Sequence, residues 1–120
     1  MRILLCDDHV LLAEALESLL SAAGHQVSVA SSSEQALRAL EEQQPDVCVL
    51  DIGLPDMTGH ALATRLLAMA APRRPLMVAL TGYGQPEDRV RSAQAGFDHH
   101  LVKPVDVGQL LALLEAPATR

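Results

Sequence analysis

Short apolar runs alternate along the chain with segments in which apolar residues recur every three or four positions. The runs cover residues 3–6, 47–50 and 76–80, with weaker ones at 27–30 and 101–102. The helical spacing covers residues 11–23, 36–40, 62–69 and 107–114, and Pro86 with two acidic residues after it favours a further helix over 87–94. The pattern therefore predicts five strands and five helices in alternation.

Such alternation is typical of an α/β fold with one parallel sheet and helices on both faces. The three strong runs are apolar throughout and predict central strands, whereas residues 26–29 alternate and predict an edge strand. We expect a doubly wound (βα)5 sheet with strand order 2-1-3-4-5. Local signals end the first helix at Gly24 and cap the second and third helices with Ser33 and Thr58.

The composition is that of one globular domain. The chain has 120 residues, of which 49% are apolar and 20% charged. We expect a single domain over residues 1–120, with 116–120 as a frayed tail. The core must be aliphatic, because the chain has one Phe, one Tyr and no Trp. Cys6 and Cys48 lie in apolar runs, which predicts buried free thiols in a reducing cytoplasm.

Charge and hydropathy exclude several classes of partner. The net charge is −6 and no basic stripe is present, so this chain is not expected to bind nucleic acid directly. The apolar run at the N-terminus is too short for a signal peptide. No stretch approaches the ~20 apolar residues that a membrane span requires. We expect a cytoplasmic protein with no membrane insertion.

Polar side chains follow four of the five predicted strands. Asp7 and Asp8 follow the first strand, and Asp51 follows the third. Thr81-Gly82 and Lys103-Pro104 follow the fourth and fifth. Because the carboxyl ends of parallel strands meet at one edge, where such sheets bind ligands, these residues are expected to line one crevice.

Three carboxylates in one crevice indicate a divalent cation. A pair of carboxylates ~5 Å apart repels by about 3 kcal/mol at an effective dielectric constant of ~20. Mg²⁺ removes that repulsion and uses few protein ligands. Phosphoryl transfer fits the whole set, with Asp51 as nucleophile, Mg²⁺ on Asp7 and Asp8, Thr81 as donor and Lys103 as cation. Lys103 is notable because the other eight basic residues are all Arg.

Five short segments carry a family resemblance in addition. They are residues 4–8 (LLCDD), 51–59 (DIGLPDMTG), 79–82 (ALTG), 95–96 (AG) and 101–104 (LVKP). In order and spacing they make the chain similar, over its whole length, to receiver domains of two-component response regulators. The resemblance implies a flavodoxin-like fold.

The resemblance also implies a phosphorelay function and a set of ligands. A histidine kinase or phosphotransfer protein would donate a phosphoryl group to Asp51. Mg²⁺ would bind Asp8, Asp51 and the backbone carbonyl of Gly53, with Asp7 acting mostly through water. Lys103 would pair with the phosphoryl group or, beforehand, with Asp51.

The resemblance implies a switch as well, from which this sequence departs at one position. In the family a hydroxyl after strand 4, here Thr81, is coupled to an aromatic residue three positions before the lysine. That position is His100 here, which puts the usual buried-ring switch in doubt. We expect His100 to stay partly exposed. Pro104 is expected to follow Lys103 through a cis bond, which an X-Pro sequence permits.

Two cues about the subgroup conflict. Residues 96–106 resemble receivers of hybrid histidine kinases, whereas residues 7–9 resemble receivers fused to helix-turn-helix domains. The longer cue favours the hybrid-kinase subgroup. The family's partner surface corresponds to residues 87–94, 98–102 and 107–115, which is also a candidate surface for a homodimer.

Some alternatives remain open at this point. A small Mg²⁺-dependent phosphatase of the haloacid dehalogenase type shares the sheet and the Asp nucleophile, but it needs an acid two residues after the nucleophile, where Gly53 stands. Tyr83 is either an ordinary loop residue or a side chain that controls water access to the site. Arg73 and Arg74 are expected in a solvated turn.

Overall fold

The computed structural model describes residues 1–54, 56–70, 73–82 and 95–115. Its strands are β1 (Arg2–Cys6), β2 (Gln26–Ala30), β3 (Val47–Asp51), β4 (Leu76–Thr81) and β5 (His99–Val102). The helices in these ranges are α1 (Val10–Ala22), α2 (Ser33–Gln43), α3 (Gly59–Ala70) and α4 (Val107–Glu115). The predicted helix over 87–94 and the predicted tail at 116–120 lie outside the described residues.

The strands form one parallel sheet in the order β2-β1-β3-β4-β5, as predicted. Every residue of β3 is buried, whereas β2 at the edge is exposed or half-buried over four of its five residues. The continuous and the alternating apolar patterns thus distinguish a central from an edge strand correctly. The predicted flavodoxin-like arrangement is confirmed.

The core has two layers because strand side chains alternate between the faces of the sheet. On one face, Leu4, Cys48 and Met77 pack against α2 and α3 through Leu40, Leu62 and Leu66. On the other, Ile3, Val49 and Leu80 pack against α1 and α4 through Leu16, Leu20 and Leu110. Both layers are aliphatic apart from Phe97, as the composition requires.

The ends of the helices follow local rules, with one correction. Thr58 caps α3 as predicted, since its Oγ1 accepts from the Ala61 N–H at 3.1 Å. Gly24 follows the cap residue Ala23 with φ +96°, which suits the left-handed end of α1. The prediction that Ser33 caps α2 is wrong: Ser32 is the cap, and its side chain accepts from the Gln35 N–H.

Cys6 and Cys48 are buried and free, and burial raises the pKa of each thiol to about 12. Arg73 and Arg74 are exposed, as expected, and each also forms a salt bridge. Arg74 binds Asp98 at 2.8 Å and the Gly96 carbonyl at 2.6 Å, which ties the start of β4 to the turn before β5. None of the described helices is long and apolar enough to cross a membrane.

Candidate functional site

An acidic cluster lies at the carboxyl edge of the central strands, as the sequence predicts. Asp7 follows β1, and Asp51 is the last residue of the neighbouring strand β3. Carboxylate oxygens of Asp7, Asp8 and Asp51 all lie within 4.8 Å of one another. Asp7 and Asp51 are buried and Asp8 is exposed, so the cluster opens to solvent on one side. Carboxylate sets of this kind suit a hard divalent cation.

Lys103 bridges the two buried carboxylates from the end of β5. Its Nζ lies 3.0 Å from Asp7 Oδ2 and 3.4 Å from Asp51 Oδ2. Burial alone would lower the lysine pKa, but hydrogen bonds and charges from Asp7 and Asp51 outweigh burial and raise it. The ammonium therefore stays charged at neutral pH. The pairing with Asp51 was expected, whereas the shorter contact with Asp7 was not.

Opposing electrostatic effects act on the pKa of the Asp51 carboxylate. Burial raises its pKa first of all, and the nearby charge of Asp7 raises it further. The N–H of Gly53, which donates to Asp51 Oδ1 at 3.0 Å, and the ammonium of Lys103 act in the opposite direction. The net pKa is raised. An additional cation at this edge would therefore be favourable.

Thr81 and His100 lie on the neighbouring strands β4 and β5. The Thr81 side chain is buried, and its Oγ1 lies 2.9 Å from Nε2 of His100. The Thr81 carbonyl accepts from the Lys103 N–H at 2.6 Å. His100 itself is half-buried. Thr81 is thus held through its carbonyl by Lys103, just after β5, and through its hydroxyl by the imidazole ring of His100 in β5.

The structure describes most of the other predicted site residues. Gly82 follows Thr81 and is exposed, as is Gly53. Pro104 follows Lys103 through a cis peptide bond, as predicted. Tyr83 lies outside the residues that the structure describes.

The sequence analysis assigned no role to Asp56, in the loop after Asp51, or to Gly59, at the start of α3. Asp56 accepts from the Ser33 hydroxyl at 2.6 Å and from its N–H at 3.1 Å, and these bonds lower the pKa of Asp56. A Cβ added to Gly59 would lie 2.6 Å from the Asp51 carbonyl oxygen and 2.7 Å from Ile52 Cα. The loop that carries Asp51 is therefore packed directly against the start of α3. A glycine immediately after the cap Thr58 was the available signal for that close approach.

Comparison with known proteins identifies the family. The sequence-family model of the response regulator receiver domain matches residues 3–115 of this chain. The transcriptional regulatory protein KdpE of Mycobacterium tuberculosis is 36% identical over 119 residues, which are 98% of this chain and 51% of that protein. The chain thus spans about half the length of this relative.

Solved structures agree with that result. A CheY-like receiver domain from Methanospirillum hungatei is 30% identical, with a TM-score of 0.87 over 95% of this chain and 90% of that one. A response regulator from Burkholderia pseudomallei, solved with a phosphorylated aspartic acid, calcium ion and citrate, is 27% identical. Its TM-score is 0.86, over 96% of this chain and 66% of that one.

The chain therefore belongs to the response regulator receiver domain family and is a receiver module of two-component signalling. The phosphatase alternative finds no support in these comparisons. The resemblance to hybrid-kinase receivers is not confirmed, since the curated relative above is a transcriptional regulator. It stays a prediction.

Proposed function

We propose that Asp51 is the phosphoacceptor of this receiver and takes its phosphoryl group from a phosphohistidine on a histidine kinase or phosphotransfer protein. The observation that carries the proposal is the position of its carboxylate, which lies within 4.8 Å of Asp7 and Asp8 and 3.4 Å from the Lys103 ammonium. The Burkholderia pseudomallei relative, described with a phosphorylated aspartic acid, supports the same chemistry.

The residues present fit a divalent cation. Three carboxylates share one edge, and Asp8 among them is exposed, so waters and phosphoryl oxygens could supply the further oxygen ligands of a hard cation. Asp7, Asp8, Asp51 and the backbone carbonyl of Gly53 would hold Mg²⁺. When bound, Mg²⁺ would neutralise charge on the transferring phosphoryl oxygens.

The side chains divide the remaining work. An Asp51 carboxylate oxygen attacks phosphorus, the N–P bond of the donor breaks, and the donor imidazole, protonated on its other nitrogen, leaves with the electron pair as a neutral ring. Lys103 offers a cation to the oxygens of the arriving group, and Thr81 offers its hydroxyl proton. Hydrolysis of the acyl phosphate restores Asp51. The chain is then an acceptor that catalyses its own phosphorylation and dephosphorylation, not an enzyme with a separate substrate.

The partner must reach this edge from solvent. The first turn of α1 lies beside Asp7 and Asp8 and exposes Val10 and Leu11, whose exposed fractions are 57% and 74%. Apolar side chains so placed offer contact area to a protein that brings phosphohistidine to Asp51.

In this proposal the module works in the cytoplasm and leaves DNA binding to other chains or domains. Its candidate homodimer contact comprises β5 and α4, to which the family resemblance adds residues 87–94.

Labelling with a small phosphodonor tests the assignment. Incubation with acetyl phosphate and Mg²⁺ should add one phosphoryl group, detected by intact mass and removed by hydroxylamine, as acyl phosphates are. Asp51→Asn should abolish the addition. Asp46→Asn, which changes the aspartate immediately before β3, should leave it intact. Full labelling of Asp51→Asn would disprove the assignment.

A further inference from the structure

The contact between Thr81 and His100 is a side-chain hydrogen bond across two strands. Ala79 pairs with His100 and Thr81 with Val102 in the β4–β5 register, so the imidazole reaches two residues along the same face of the sheet to the hydroxyl. The distance from Oγ1 to Nε2 is 2.9 Å, and Thr81 is only 4% exposed. A tyrosine or phenylalanine ring could fill similar space but has no ring nitrogen to make this bond.

The direction of this bond decides what Thr81 can offer to the acidic edge. A threonine hydroxyl has one proton to donate and lone pairs with which it can accept. If the hydroxyl donates to Nε2, its only proton points away from Asp51. If it accepts from an Nε2–H group, the proton is available to an acceptor at the strand ends. A phosphoryl group on Asp51 is such an acceptor, and a charged acceptor strengthens the bond it receives.

We propose that His100 is a positioning residue for phosphoryl transfer: its Nε2–H donates to Thr81 Oγ1 and thereby directs the threonine proton toward a phosphoryl oxygen on Asp51. The inference rests on the proposed function, in which Asp51 carries that group. It adds a donor at a position that the family resemblance assigns to a ring acting by its bulk. His100 acts here through hydrogen-bond direction, by way of Thr81.

Rates of phosphorylation test the role of the imidazole. The chain has no Trp, so uptake from acetyl phosphate is followed by intact mass. His100→Phe keeps a ring but removes the donor, and should slow uptake about five- to tenfold, the effect of one lost hydrogen bond. His100→Gln keeps an N–H donor and should recover most of the rate. His99→Phe changes the adjacent residue, whose side chain faces the other side of the sheet, and should match the wild type.

A double-mutant cycle shows whether the effect passes through Thr81. In a Thr81→Ala background, the His100→Phe substitution should change the rate less than twofold, because the hydroxyl that His100 positions is gone. An equal slowing in both backgrounds would assign His100 a merely structural role. If wild type is phosphorylated and His100→Phe matches it, only this inference fails. If wild type takes up no phosphoryl group, the proposed function fails first.

The protonated nitrogen can be observed directly. In the ¹⁵N spectrum of the full chain with Mg²⁺ and beryllofluoride, Nε2 of His100 should carry the proton, with the resonance assigned from its loss in His100→Phe. An unprotonated Nε2 in that complex would overturn the inference, because Thr81 would then be the donor to the ring.

Discussion

At the scale of single residues, Lys103 has the most constrained environment in the site. It is the only lysine in the chain, and its ammonium contacts two different buried carboxylates, at 3.0 Å and 3.4 Å. A compact ammonium with three rotatable donors can bridge such a pair. A guanidinium is planar and forked, so it would favour bidentate pairing with one carboxylate over bridging two.

We therefore expect neither Lys103→Arg nor Lys103→Met to retain the wild-type rate of phosphorylation. An amine-selective reagent gives a second measurement, because the chain offers it only Lys103 and the N-terminus. Mg²⁺ with beryllofluoride should slow modification of Lys103 and leave Met1, the internal control, unchanged. Equal reactivity of Lys103 with and without the mimic would contradict its role at the site.

Asp46, immediately before β3, and Asp51, the last residue of β3, should make pH-dependent contributions of opposite sign to stability. The folded-state pKa of Asp51 is raised, first by burial, so its ionisation opposes folding once pH exceeds the unfolded value of about 3.9. The pKa of Asp46 is lowered, first by the Arg2 N–H bond, so its ionisation favours folding above that value.

Denaturant melts in metal-free buffer measure the difference. At pH 7, Asp51→Asn should raise the free energy of unfolding and Asp46→Asn should lower it. Both differences should shrink as the pH falls toward and below 4, because the wild-type carboxylates then become protonated. A loss of stability in Asp51→Asn at pH 7 would show that the lysine contact outweighs burial and repulsion.

Much of the site could be predicted from single residues, and the contacts that could not be predicted depend on side-chain reach and strand register. Asp7, Asp8, Asp51, Thr81 and Lys103 follow strands, and parallel strands bring their ends together whatever the details of packing. The choice of partner for Lys103 depends on side-chain alternation and reach, which a strand-end rule does not resolve. The bond between His100 and Thr81 depends in the same way on the β4–β5 register.

At the scale of elements, the predicted strands are correct to within about one residue at most ends because each is bounded by polar or turn residues. The start of α2 shows where local rules fail. Ser33 has the right side chain for a cap, but its hydroxyl is taken by Asp56, 23 residues further along. Ser32 takes the cap position instead. A contact of that sequence separation leaves no local signal.

The junction between β3 and α3 gives a prediction at this scale. In Gly59→Ala the new Cβ would meet backbone atoms of Asp51 and Ile52 at 2.6–2.7 Å, which cannot yield as a flexible side chain would. We expect a loss of about 1–3 kcal/mol in unfolding free energy, and slower phosphorylation because the segment bearing Asp51 must move.

Gly82→Ala is the matched control for stability, since no atom of the described residues lies within 4 Å of its Cβ position. It should melt within about 0.5 kcal/mol of the wild type, as surface substitutions usually do. A Gly59→Ala variant as stable as Gly82→Ala would mean that α3 can shift without cost.

At the scale of the whole molecule, a small aliphatic core stabilises a site that is itself electrostatically unfavourable. The chain carries a net charge of −6 and concentrates three carboxylates at one edge of the sheet. Two buried apolar layers, one on each face, hold the strands in register despite that repulsion. Because a cation that binds only the folded state adds to the free energy of unfolding, metal and fold should be linked.

Removal of Asp8 should expose this linkage. Asp8→Ala relieves repulsion between carboxylates at the edge, so its melting temperature in metal-free buffer should exceed that of the wild type. The same substitution removes a metal ligand. Added Mg²⁺ should raise the wild-type melting temperature and raise that of Asp8→Ala much less. Glu42→Ala removes an equal charge at an exposed position on α2, outside the cluster, and should keep the full Mg²⁺ response. An Asp8→Ala variant that melts below the wild type without metal would refute the repulsion argument, and an undiminished Mg²⁺ response would remove Asp8 from the ligand set.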